Sequence, residues 1–216
     1  MKTINTIKTW LFLGALSLFF ASCQKENNVT PAVTTEEVKV PNYEWVKAGN
    51  EWNYDVTGSF VGYPGSFQNG ERLKVESNLG NGNYQAVLYV NFAPYHTDTI
   101  SFVWYQENGI LYGKDFVDGS ADIVLAHIPT IGEQSYRVTE DDTLFRQVLD
   151  TGVVVTGATG TYSCTKTKLY YASGAVGKPY IEEYYNKEAG LVKHRIKIMT
   201  EGGLVDYTAN LKSKNF

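Results

Sequence analysis

From about residue 42 onward, apolar and polar side chains alternate with a period of two. That is the spacing of a strand with one face buried. In Glu71 to Ser77, Leu73 and Val75 share one face while Lys74 and Glu76 take the other. The turn Val46-Lys47-Ala48-Gly49-Asn50 leads into a first strand over Glu51 to Phe60. Gly62-Tyr63-Pro64-Gly65 predicts a turn, and Asn78 to Asn83, rich in Asn and Gly, predicts a loop. Tyr84 to Phe92 is apolar enough for a strand buried in part on both faces, and Thr99 to Tyr105 follows as another. Asn108-Gly109 is a two-residue hairpin signal into Ile110 to Tyr112. Ser135 to Thr139, Leu144 to Leu149, Val153 to Thr156, Thr161 to Tyr171 and Pro179 to Asn186 read as further strands. The stretch from Gly113 to Gly132, with its apolar run Ile123 to Ile128 before Pro129, has room for one short helix.

The last hairpin is specific enough to predict in register. Val192, His194, Ile196 and Ile198 alternate with Lys193, Arg195 and Lys197. Val205, Tyr207, Ala209 and Leu211 alternate with Asp206, Thr208, Asn210 and Lys212. A two-residue loop at Gly202-Gly203 pairs Ile198 with Tyr207, Ile196 with Ala209 and His194 with Leu211, so that the apolar faces coincide. About ten to twelve short strands bounded by turns, and no long amphipathic helix, predict an all-β fold: an antiparallel sandwich, barrel or strongly curved sheet with at most one short helix. A faint echo between Gly49-Asn-Glu-Trp-Asn-Tyr and Gly132-Glu-Gln-Ser-Tyr is compatible with two halves.

Composition agrees with strands. The 216 residues include 16 Tyr, 10 Phe, 4 Trp and 20 Gly. The N-terminus is different in kind. Lys2 and Lys8 precede the apolar run Trp10 to Phe20, and the small residues Ala21 and Ser22 precede Cys23. This is the order of a secretory signal peptide over residues 1–22, shorter than the roughly 20 apolar residues of a bilayer-spanning helix. Phe20-Ala21-Ser22-Cys23 resembles the bacterial lipobox, in the form found in lipoproteins of the Bacteroidota type with Phe in place of the usual Leu. The resemblance implies cleavage before Cys23, a diacylglycerol thioether on its sulfur and acylation of its new amine. Acyl chains contribute about 0.8 kcal/mol per buried CH₂, enough in combination for stable anchoring. Residues 23–41 follow as the lipidated cysteine and a polar tether with Pro31 and Pro41, and 42–216 as a single β domain.

Charge narrows the partners. Residues 1–22 carry two of the 19 basic residues and no acid, so the remainder has 17 against 23, a net charge of −6. That disfavours nucleic acid, which wants a basic surface. Gln24 after the cysteine, where an Asp would signal retention at the inner membrane, points to the outer membrane.

A second resemblance covers about the last 85 residues. Ile131-Gly132-Glu133, Gly160-Thr161-Tyr162-Ser163-Cys164, and Glu183-Tyr184-Tyr185 running to Gly190-Leu191-Val192-Lys193 occur in that order. They are similar to a group of uncharacterised secreted and lipid-anchored bacterial proteins. The resemblance implies an antiparallel β domain and an envelope location, and no activity. Gly160 is expected at a bend and Gly190 at a turn with positive φ.

Candidate chemistry is sparse. His96, His127 and His194 lack metal-ligand spacing, and His194 falls on the apolar face of its strand, as a core histidine. Asp115, Asp118 and Asp122 surround a glycine but depart from the calcium-loop pattern. Glu140-Asp141-Asp142 is a tight acidic turn. Glu182 and Glu183 fall on opposite faces and cannot form one catalytic dyad. With Cys23 lipidated, Cys164 has no disulfide partner and reads as a small buried hydrophobe. Tyr170-Tyr171 and Tyr184-Tyr185 each place one ring on either side of a sheet, and Lys193, Arg195 and Lys197 form a basic outward stripe.

These observations predict a lipid-anchored envelope protein, held to the outer membrane through Cys23, with no cofactor, no metal and no catalytic residues. It would act as a non-enzymatic binding or assembly module whose partner is an envelope protein or a glycan. The alternatives are a glycan- or peptide-binding accessory lipoprotein using exposed aromatics, a lipid carrier built on a curved sheet, and a hydrolase using scattered Asp and Glu.

Overall fold

The computed structural model describes residues 43–94, 96–107, 110–115, 123–126, 132, 134–138 and 143–216. Among them the chain is all strand and turn, in one strongly curved antiparallel sheet. The strands are β1 (Glu51–Phe60), β2 (Tyr63–Gly80), β3 (Asn83–Phe92), β4 (His96–Glu107), β5 (Ile110–Asp115), β6 (Ile123–Ala126), β7 (Gln134–Val138), β8 (Thr143–Gly157), β9 (Gly160–Tyr171), β10 (Tyr180–Asn186), β11 (Gly190–Thr200) and β12 (Gly203–Lys214). Two six-stranded meanders meet where β1 pairs with β12, giving the order β6-β5-β4-β3-β2-β1-β12-β11-β10-β9-β8-β7. The two halves open alike. Gly49 before β1 and Gly132 before β7 both have positive φ, and each donates its N–H to a carbonyl of the next strand, Val75 and Val148 respectively.

The curvature can be measured from side chains. Phe92 on β3 and Tyr207 on β12 are three strand spacings apart, about 14 Å on a flat sheet. Their ring centroids lie 5.1 Å apart. A bulge in the β1–β2 ladder between Tyr54 and Val56, with Asn69 at φ 51°, bends the sheet at this point. Opposite it, a side chain at Gly58 would overlap the backbone of Asp206 and Tyr207, so only glycine lets β1 close on β12 here.

The concave face is filled by its own side chains and by two insertions. The Tyr43–Val46 segment enters between the wings. Tyr43 donates its N–H to Gln106 on β4, and Trp45 donates Nε1–H to the carbonyl of Lys187 beyond β10. The Trp45 ring sits 5.7 Å from Trp52 and 5.8 Å from Trp104, edge to face. The outer part of the β8–β9 hairpin folds in from the other side. There Cys164 is buried, Val155 and Tyr162 pack on the core, and Gly157 approaches the carbonyl of Leu211 on β12.

Several sequence expectations need correction. Gly62 to Gly65 is not a turn, because β2 starts at Tyr63 and pairs Pro64 with Ser59. Pairing of β2 with β3 begins only at Glu71, so Pro64 lies where one side has no ladder to interrupt. The loop at Asn78 to Asn83 shrinks to Asn81-Gly82, both with positive φ, as a tight hairpin of the right twist demands. Leu144 to Leu149 and Val153 to Thr156 are one strand, β8, interrupted by bulges around Asp150 and by Gly152 at φ 77°. The last hairpin turns at Glu201-Gly202, not Gly202-Gly203. Ile198 therefore pairs with Val205, Ile196 with Tyr207 and His194 with Ala209. Gly203 starts β12 at φ 128°, with its carbonyl accepting from Thr200 Oγ1. The proposed short helix falls partly outside the described residues, and Ile123–Ala126 within it is strand β6.

Other expectations hold. β1 runs from Glu51 to Phe60. Glu107 pairs with Ile110 across the Asn108-Gly109 step. Ala86, Val87 and Leu88 are all buried, so β3 is covered on both faces there. Gly190 has φ 75°, and a Cβ on it would lie 3.1 Å from Trp52.

Candidate functional site

Two groups of polar residues stand out, one on each face of the same strands. The inner group consists of polar residues placed in phase with apolar neighbours. Glu71 is in phase with Leu73, Arg146 with Leu144 and Val148, Thr167 with Leu169, Glu183 with Ile181, and His194 with Ile196 and Ile198. Each is therefore carried into the core, and all five are buried. His194 Nε2 lies 2.8 Å from Glu71 Oε2, a close ion pair rather than a well-aligned hydrogen bond. Tyr207 donates its hydroxyl to the other oxygen, Oε1, at 2.8 Å. Burial alone would push the His194 imidazole down, but the adjoining Glu71 and the nearby Glu183 carboxylates outweigh it and hold it raised above 6.5. Directly opposite His194 on β10, Glu183 accepts from Thr167 and Tyr185 and faces the charge of Arg146. Burial dominates there and raises the Glu183 carboxyl above its ordinary value.

This inner cluster is sealed. Its members are at most 7 % exposed, and the hydroxyls of Tyr54 and Tyr207 around it are held well above their ordinary pKa by burial. Buried charges need partners: Glu71 faces His194 and Tyr207, and Glu183 faces Arg146, while His194 Nδ1 is buried without a hydrogen-bond partner among the described residues. Among the described residues the arrangement gives the core a polar lock closed to solvent.

The outer group faces solvent. Cross-strand register places its side chains on a grid. One row across β8, β9, β10, β11, β12 and β1 is Phe145, Tyr170, Tyr180, Lys197, Asp206 and Ser59. The next is Gln147, Lys168, Glu182, Arg195, Thr208 and Thr57. A third includes Lys166, Tyr184, Lys193 and Asn210. Within this grid lies an open depression of about 570 Å³. Thr57 and Ser59 line it from β1, Asp206 and Thr208 from β12, Lys193 and Arg195 from β11, and Glu182 and Tyr184 from β10.

Electrostatics in the depression are ordered. Arg195 grips Asp206 through two bonds, Nε to Oδ1 at 2.8 Å and Nη2 to Oδ2 at 2.7 Å. That pairing holds the Asp206 carboxyl below its ordinary value. Lys166 pairs with Glu182 at 2.8 Å, and Tyr180 donates its hydroxyl to the same carboxylate. The Tyr184 ring is bracketed by Lys166 and Lys193, each with Nζ 5.4 Å from its centroid. Lys168 Nζ lies 4.1 Å from the Tyr170 centroid.

The sequence reading placed several of these residues correctly. Glu182 faces out and Glu183 in; Tyr184 faces out, while Tyr185 faces in and bonds Glu183. Lys193, Arg195 and Lys197 do form an outward stripe. Cys164 is buried, and burial pushes its thiol up to about 11, so it is a neutral core side chain. His194 is a core histidine, but its ion pair with Glu71 was not foreseen. His96 starts β4, half-buried beside Asp98. Cys23, His127, Asp118, Asp122 and Glu140 to Asp142 lie outside the described residues. Among the described residues no three His, Cys, Asp or Glu side chains converge in a way that would hold a metal ion. No helix among them is long and apolar enough to cross a membrane, which leaves β-barrel insertion unaddressed. No protein-family model matches the chain, nor does any curated protein or any solved structure compared with it.

Proposed function

We propose that this is a lipid-anchored envelope protein that binds rather than catalyses, using the convex face of β9–β12 and β1. The observation that supports it most is the contrast, among the described residues, between a packed core and an open, ordered groove outside. A lipid carrier needs an apolar hollow, and the concave face here is occupied by Trp45, Trp52, Tyr54, Phe92 and the Glu71–His194 pair. A hydrolase of the two-carboxylate kind needs two acids facing one substrate. In the groove, Glu182 and Asp206 are each engaged by a cation instead. Anchoring through Cys23 after cleavage of residues 1–22 would place this groove at the outer membrane.

The binding reading is tested by filling the groove. Thr208→Trp places an indole in the depression, on the solvent side of β12. The full-length chain in detergent is screened for binding of neutral and acidic polysaccharides and of peptides, with and without this change. A ligand of the wild type should be weakened by at least about tenfold in the variant. Binding that Thr208→Trp leaves untouched, a panel with no ligand at all, or turnover of a panel member would each defeat the reading. The anchor is tested separately. Cys23→Ala should leave the chain unprocessed or released from membranes, and a variant still cleaved and membrane-bound would remove lipidation.

A further inference from the structure

The geometry points to an acidic polysaccharide as the occupant of this convex face. The inference rests on the binding reading above and adds the chemistry of the ligand. Five basic side chains from β9 and β11, Lys166, Lys168, Lys193, Arg195 and Lys197, share the outer surface of four adjacent strands, β9 to β12, with two carboxylates, Glu182 and Asp206. The whole chain has a net charge of −4, so this patch runs against the sign of the molecule. Lys166 and Arg195 hold the two carboxylates, which leaves Lys168, Lys193 and Lys197 as the excess charge.

Their spacing suits a polymer. Lys193 and Lys197 are four residues apart on one strand, about 13 Å, and Lys168 stands two strands across, about 10 Å. No single small anion meets three such charges, whereas an extended chain with regularly placed carboxylates or sulfates does. Between the lysines lie the half-buried rings of Tyr180 and Tyr184, which add apolar surface beside the charges for the C–H face of a sugar ring. The hydroxyls of Thr57, Ser59 and Thr208 line the same depression and match a ligand rich in hydroxyl groups.

Two other occupants fit less well. The core of a protein interface is depleted in lysine, and here lysines hold the centre. A membrane surface would call for apolar side chains that insert beside the charges. Among the described residues the exposed large apolar side chains Tyr63, Leu79, Val154 and Val176 lie elsewhere, on β2, on the β8–β9 arm and in the β9–β10 connection, and Met199 continues the β11 stripe beyond Lys197 as one apolar side chain where membrane insertion calls for several.

The test compares one backbone in two charge states. The full-length chain in detergent is titrated with polygalacturonate, with its fully methyl-esterified neutral form, and with phosphatidylglycerol vesicles. Polygalacturonate should bind and the ester should bind at least about tenfold more weakly. Binding should fade as added salt shortens the Debye length from about 10 Å at 0.1 M toward 3 Å at 1 M. Lys168→Gln/Lys193→Gln/Lys197→Gln should lose the preference for the acid while keeping the wild-type thermal midpoint. Should the triple variant fold poorly, Lys168→Gln alone must still narrow the preference. Tyr184→Ala should weaken both forms together. Equal binding of acid and ester would overturn the acidic ligand and leave glycan binding standing. Binding of vesicles but not of polygalacturonate would overturn it in favour of a lipid surface. Silence toward polygalacturonate, with another ligand still displaced by Thr208→Trp, would overturn it and spare the binding reading. Silence toward everything would remove both.

Discussion

Glu182 and Glu183 are neighbours in sequence, and the sheet puts them in opposite worlds. Glu183 points inward, 3 % exposed, against Thr167, Tyr185 and Arg146, and its carboxyl is raised above its ordinary value by burial. Glu182 points outward, takes a lysine and a tyrosine hydroxyl, and is lowered because those bonds outweigh its partial burial. The same division runs along the whole of β9–β12, with His194 inside and Lys193 and Arg195 outside. Inside, charge is matched and sealed, so it serves the fold. Outside, cations exceed anions and remain reachable, so they can serve a partner. The two faces should therefore respond to mutation in opposite ways: the inner one in stability, the outer one in binding.

The sharpest break of that contrast is Glu71→Leu. It strands the His194 imidazole and the Tyr207 hydroxyl in the core, where removing one partner of a buried pair costs about 3–5 kcal/mol. Urea unfolding should show that loss as a lower midpoint. Adding His194→Leu and Tyr207→Phe should recover much of it, since no polar group is then left unpaired. A Glu71→Leu protein as stable as the wild type would mean that the pair contributes nothing to the fold.

Why Glu71 escaped a reading of the sequence is instructive. Its phase was visible, two residues before Leu73 on the apolar face. Its partners were not, because Tyr207 is 136 residues away and meets it only through the curl of the sheet. The same limit applies to the last hairpin. Period-two alternation assigned the faces of β11 and β12 correctly, yet it cannot distinguish registers that differ by two. The observed register sets His194 opposite Ala209, where a small side chain leaves the imidazole space between Tyr54 and Tyr207. Curvature was legible only as a class of fold. It depends on Gly58, on the bulge beside Asn69 and on the inward fold of the β8–β9 arm, and each of these is decided by a distant strand. The outer grid was readable residue by residue along β11. Its aromatic columns needed the pairing of β8, β9 and β10.

A smaller effect separates the charge of His194 from its packing. Its folded-state pKa is raised, so the protonated form stabilises the fold fully below about pH 6.5, the unfolded value, and that contribution is lost as pH climbs through the raised value. Glu183 acts in the same direction: its neutral carboxyl favours the fold below 4.5, and the benefit is lost as pH rises through its own raised value. The wild type should therefore weaken as pH rises above 6.5. In His194→Gln the difference from wild type should shrink steadily over that range. Parallel curves for the two proteins would show that the imidazole is neutral in the fold.

The smallest stability effect belongs to the outer face. Arg195 and Asp206 form the best ion pair on it, bidentate and with the Arg195 side chain 46 % exposed. Exposed pairs contribute about 0.2–1 kcal/mol, because water screens the attraction and both side chains lose freedom. Arg195→Gln should then cost no more than that in a urea titration, far less than Glu71→Leu. Its consequence for the groove should be larger. Asp206, freed of its bidentate partner and left with only Lys197 opposite it, is a less neutralised carboxylate at the edge of the cationic patch and repels an acidic ligand. The double change Arg195→Gln/Asp206→Asn removes both charges and should restore part of the affinity that Arg195→Gln loses. Recovery of this kind cannot arise from lost stability, since the double variant is no better packed than the single one. If the single and double variants bind alike, Asp206 does not face the ligand, and the occupant must lie toward Lys168 and Tyr180.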